Sequence, residues 1–160
     1  MRWRQAFYLA AFFSSAILTT AAAQTDGNVA GSWLTENGKG IIAIAPCGQS
    51  ICGRILWMKP PPTARPGEIP YDKKNPDPSR RKQPLCGSTI LYDFHRDPSN
   101  PLRWEDGAIY DPDSGSTYHA TVTIQDPDHL RLRGYIGIPL LGESQIWTRA
   151  DPHHPLCHAG

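Results

Sequence analysis

The chain has 160 residues, and its 16 Lys+Arg against 15 Asp+Glu leave a formal net charge of +1. A balance this even argues against a general nucleic-acid binder and a polybasic membrane-surface protein. With 16 Pro, 14 Gly and almost no helical periodicity after residue 24, the chain reads as many short strands punctuated by turns, the pattern of an all-β sandwich or barrel.

Residues 1–23 have the layout of a secretory signal peptide. Arg2 and Arg4 form a positive start, an apolar run follows from Ala6 to Leu18, and Ala21-Ala22-Ala23 supplies small residues for cleavage before Gln24. The apolar run is too short to span a bilayer comfortably, so the expectation is export without stable membrane insertion. Residues 24–30 then read as a linker, residues 31–149 as one domain and residues 150–160 as a flexible, polar tail.

The strands are expected at residues 31–35, 39–45 (ended by Pro46), 51–58, 87–95, 103–110, 117–125, 130–137 and 143–149. Residues 117–125 alternate most cleanly, with Tyr118, Ala120, Val122 and Ile124 on one face. Gly107 marks a possible bulge. About eight strands suit a small closed antiparallel barrel. Residues 59–84 interrupt the pattern with Pro60, Pro61, Pro62, Pro66, Pro70, Pro76, Pro78 and Pro84, none of which has a backbone donor for a ladder. On composition this long loop reads as a solvated linker, with an ordered lid held by Asp72, Asp77 and Arg81 as the alternative.

Four cysteines meet an oxidising compartment if the chain is exported. Cys47 and Cys52 flank the turn Gly48-Gln49-Ser50 and suit a disulfide across a hairpin end; Cys86 and Cys157 could pair, but spacing does not fix it. His153, His154, Cys157 and His158 could in principle hold a soft metal, yet a flexible tail makes a poor site, so no metal and no cofactor are expected. Asp111-Pro112-Asp113-Ser114-Gly115 has a faint calcium-loop look. Its twelfth position is Val122 rather than an acid, and a hairpin turn explains the same residues. No nucleophile motif frames Ser144, His95 or Asp93, and the carboxylates Asp93, Glu105 and Asp106 are the one opening for paired-acid chemistry, so no enzyme is expected.

Gly31-x-Trp33 at the first strand and Arg149 at the last resemble the lipocalin and calycin signature, in which the Arg packs over the Trp and closes the barrel base. More broadly, residues 31–149 resemble the bacterial domain of unknown function 2147 family of exported proteins. The matching stretches are Gly31-Ser32-Trp33-Leu34-Thr35, Cys47-Gly48 with Cys52-Gly53-Arg54-Ile55-Leu56-Trp57, and Asp72 with Asn75-Pro76-Asp77-Pro78 and Arg81. They continue through Ile109-Tyr110-Asp111-Pro112, Arg133-Gly134-Tyr135-Ile136-Gly137 and Trp147-Thr148-Arg149. Gln83 stands where the family pattern favours a second Arg. The resemblance implies a lipocalin-like barrel in the periplasm and no settled activity. It also turns the long loop, through Asp72, Asn75, Asp77 and Arg81, from linker into an ordered lid across one barrel end.

The expected function is binding of a small apolar or amphipathic ligand inside the barrel, with Ile42, Ile55, Tyr92, Tyr118, Val122 and Leu132 as candidate lining. The alternative is a cell-envelope interaction protein with a filled barrel, acting on a protein partner through the loop and through Trp57, Trp104 and Tyr135 where these are exposed. An internal cavity discriminates the two.

Overall fold

The computed structural model describes residues 28–157. The expected signal peptide, most of the linker and His158 lie outside the described residues. Eight strands form a closed barrel in sequence order: β1 (Gly31–Leu34), β2 (Gly40–Cys47), β3 (Ser50–Met58), β4 (Thr89–Arg96), β5 (Arg103–Asp111), β6 (Ser116–Asp126), β7 (His129–Tyr135) and β8 (Gly142–Arg149). Every neighbouring pair is antiparallel. In such an up-and-down barrel the β1–β2, β3–β4, β5–β6 and β7–β8 connections share one end, the mouth, and the chain enters and leaves at the other, the base. Strand β2 runs through Pro46. Because β1 pairs with β2 only as far as Ile44, that edge has no partner at Pro46 and the missing donor breaks no ladder.

The base is closed as the Gly-x-Trp and Arg pattern implies. The Arg149 guanidinium lies 3.8 Å from the centre of the Trp33 ring. It donates to the carbonyls of Asn28 at 2.7 Å, Ala30 at 2.8 Å and Pro127 at 2.9 Å, while Trp33 Nε1 donates to Val29 O at 2.9 Å. Gly31 is needed for this plug. Its φ is +131°, and a Cβ there would stand 2.3 Å from Arg149 Nη1.

Above the plug the interior is packed. Trp33, Trp147, Phe94, Leu91, Leu130 and Val122 are fully buried. Bulges bend the wall where Asp93 and Asp106 take φ of 55° and 58°, and the Phe94 ring fills the space over Gly107, where a Cβ would come within 2.3 Å of it.

Two disulfides fasten the rest, among four cysteines none of which is free. Cys47–Cys52 spans the β2–β3 hairpin end, and Cys86–Cys157 ties the tail to the long loop. The tail was expected to be flexible, but residues 150–157 are anchored. Ala150 N donates to Ser32 O at 3.0 Å, Cys157 N to Leu56 O at 2.8 Å, and the His154 ring meets Trp57 edge-on at 4.4 Å. The backbone donors thus find acceptors along the outside of the barrel.

Candidate functional site

Strand alternation decides what faces the mouth. Trp147 is buried inside, so Gln145 and Glu143, two and four residues earlier, share its inward face. They stand opposite Leu132 and Gly134 of β7, and Ile109 of β5 stands opposite Tyr118 of β6. Together these strands enclose a cavity of about 380 Å³ at the mouth. Its walls are apolar at Ile109, Tyr118, Leu132, Ile136 and Leu141, with Gln145 lower down and Asp111 and Glu143 at the rim. Gln145 Oε1 accepts from Trp147 Nε1 at 2.9 Å, so its amide closes the polar edge of the packed core below.

The β7–β8 connection carries the apolar wall out of the barrel. Ile136 is 69% exposed, Ile138 54%, Leu140 81% and Leu141 70%. Arg133 holds this tip, donating to Pro139 O at 2.7 Å, Leu140 O at 3.3 Å and Ser144 Oγ at 3.0 Å. These apolar residues are therefore presented on a fastened loop.

Of the six candidate lining residues, the structure brings Tyr118 and Leu132 to the cavity. Ile42, Ile55 and Val122 are buried in the packed core beneath it. Tyr92 pairs with Ala108 on the outward face of β4, its hydroxyl donating to Thr89 O, with burial and Asp72 pushing its phenol up. The period-two pattern marks which residues share a face, not how far up the barrel each one sits. That is why Glu143, Gln145, Ile109 and Asp111 were missed. Their signal was available in the alternation with Trp147 and Tyr118.

The family-motif residues build an ordered loop. Asp72 and Asn75 are buried. Asp72 accepts from Tyr110 Oη at 2.7 Å and from Asn75 Nδ2 at 2.6 Å. Asn75 Oδ1 accepts from Asp77 N at 2.9 Å, and Arg81 Nε donates to Asn75 O at 2.8 Å. Asp77 caps the 3-10 turn Pro78–Arg80, and hydrogen bonds from Ser79, then the charges of Arg80 and Arg81, hold its carboxyl below the usual range. Burial first, then the bond and charge of Asp72, push the Tyr110 phenol up to about 12. Tyr110 faces outward from β5, so Asp72 clamps this half of the loop to the barrel wall, and Lys74 reaches the β5–β6 turn at the mouth, donating to Asp113 O. The first half, with Lys39 of the β1–β2 turn and Leu156 of the tail, borders a second cleft of about 950 Å³.

None of the three aromatic residues expected to meet a partner is exposed. Trp104 is buried, Trp57 is half covered by His154, and Tyr135 stacks on His119 at 5.7 Å. The Asp111–Gly115 segment is a hairpin turn in which Gly115 N donates to Asp111 O at 2.8 Å. Glu105 pairs with Arg103 at 3.2 Å, and Asp93 and Asp106 point to solvent from their bulges. Among the described residues no group of three or more His, Cys, Asp and Glu is placed to hold a metal, and no helix is long and apolar enough to cross a membrane.

Among solved structures, the chain is similar to HP1028 from Helicobacter pylori, described as belonging to the lipocalin family. The TM-score is 0.66 at 18% identity, covering 77% of this chain and 83% of that one, a likeness of fold. No curated protein matches. The model of one family, described as an uncharacterized protein conserved in bacteria (DUF2147), matches residues 31–149, three quarters of the chain and the whole barrel from Gly31 to Arg149, and the protein belongs to that family.

Proposed function

We propose that the protein is an exported, periplasmic binding barrel that holds one small apolar or amphipathic ligand at its mouth and performs no chemistry on it. The observation that carries this reading is the cavity of about 380 Å³, apolar in its walls and polar at its rim. It falls at the lower end of the volumes of small-molecule sites, ~300–1,000 Å³. The fully packed base limits the ligand to the upper barrel. Export by cleavage after residue 23 is supported by the signal-peptide layout and by the two disulfides, which suit an oxidising compartment.

Gly134 offers a clean test. A Cβ there would sit 3.8 Å from Ile109 and 3.9 Å from Tyr118, ordinary contact distances, so a larger side chain grows into the cavity without a backbone clash. Native mass spectrometry of protein purified from periplasm should show a bound mass in the wild type and none in Gly134→Leu, with both unfolding cooperatively. A wild-type mass retained in Gly134→Leu would refute the site.

A second reading, contact with an envelope protein through the outer surface, draws on the exposed tip from Ile136 to Leu141. Partner capture lost in Leu140→Ser but kept in Gly134→Leu would favour it.

A further inference from the structure

The cavity has a sign. Of the residues that line it, Asp111 and Glu143 are carboxylates and none is Lys, Arg or His. Both acids stand at the rim, one strand step above the apolar walls made by Ile109, Leu132 and Tyr118. The Glu143 carboxylate takes part in no hydrogen bond or ion pair among the described residues. Asp111 spends its oxygens on the turn, accepting from Asp113 N at 2.9 Å and Ser114 Oγ at 2.7 Å.

Lys74 donates to Asp113 O in the β5–β6 turn, outside the residues that line the cavity, and the cation beside the β7–β8 wall is Arg133. It pairs with Ser144 in the β7–β8 ladder and so faces outward, away from Gly134 and Glu143. Its guanidinium is committed to Pro139, Leu140 and Ser144. No cation therefore stands among the lining residues beside the two carboxylates. An anionic head would be repelled there, and a cation would be attracted. The Tyr118 ring on the same wall adds an aromatic face for a cation.

Resting on the binding reading above, we propose that the mouth selects a small organic cation. Its amine or quaternary ammonium group sits between Asp111 and Glu143, and its aliphatic or aromatic body lies against Ile109, Tyr118 and Leu132. The packed layer at Trp147 sets the depth, so a short body fits within the barrel and a longer one runs out along Leu141 and Ile138.

The test compares three probes with one body: octyltrimethylammonium, octanol and octanoate, titrated into the full mature protein by calorimetry. The ammonium is expected to bind most tightly and the carboxylate least. Glu143→Gln should weaken the ammonium about three- to tenfold, the effect of one partly screened charge, and leave octanol unchanged. Glu143→Lys should reverse the order of ammonium and carboxylate, and added salt should weaken the ammonium alone. Octanoate binding as tightly as the ammonium would overturn the charge selection while leaving the cavity as a site. An equal loss of all three probes in Glu143→Gln would overturn it too, by making Glu143 a structural residue. Failure of every probe to bind, octanol included, would overturn both this inference and the binding reading beneath it.

Discussion

Replacing Arg149 should unfasten the barrel base, and the size of the effect follows from its contacts. The side chain stacks on Trp33 at 3.8 Å and donates to three backbone carbonyls at 2.7, 2.8 and 2.9 Å. A cation over an indole face contributes ~0.5–2 kcal/mol. A hydrogen bond contributes ~0.5–1.5 kcal/mol net, and the three carbonyls are near enough to the surface for water to replace part of that. Arg149→Ala is therefore expected to cost about 3 kcal/mol, a large share of the ~5–15 kcal/mol that holds a typical domain. Arg149→Lys keeps the charge but cannot reach three acceptors with one planar fork, so it should lose about half as much. Gly31→Ala should destabilise from the other side of the same contact, by pushing the guanidinium off the ring. Urea unfolding followed by tryptophan fluorescence, with both disulfides intact, measures all three; with m of ~1.5 kcal/mol/M the alanine variant shifts the midpoint by about 2 M. An Arg149→Ala shift under ~0.5 kcal/mol, or Arg149→Lys equal to wild type, would refute the account of the base.

Three further outcomes follow from the fold. Tyr110 holds the long loop as a neutral donor, and its phenol is raised to about 12. Its contribution is complete below pH ~10, where the unfolded tyrosine is still protonated, and is lost as pH rises from there to about 12; protease cleavage within residues 59–84 should rise over that window in the wild type and stay flat in Tyr110→Phe. Gly107→Ala should cost ~1–3 kcal/mol in chemical denaturation, because the new methyl meets the Phe94 ring, and Gly107→Ala with Phe94→Leu should recover part of it. Cys86→Ser with Cys157→Ser opens a link across 71 residues and should cost ~3–5 kcal/mol, with proteolysis near His154 as the first sign that the tail has left Trp57.

A good deal of this molecule is written in its sequence. Strand alternation is local: each residue's side depends on its neighbours two positions away, so the eight strands and the barrel class follow from the chain alone. The Cys47–Cys52 bridge is local in the same sense, five residues apart across a turn. The Trp33–Arg149 closure was legible because the two residues sit at the two ends of the domain, where a closed barrel must join its first and last strands.

Height along the barrel, by contrast, belongs to the tertiary structure. The stagger between strands decides that Val122 lies in solid core while Tyr118, four residues earlier on the same face, borders a cavity. Which wall the proline-rich loop grips, through Asp72 and Tyr110 separated by 38 residues, depends on long-range packing that no local pattern encodes. The Cys86–Cys157 pairing waits on the same packing. The cavity is the sum of such placements: aliphatic and acidic side chains from β5 to β8 meet there only because the strands close into a ring with its base filled and its mouth open.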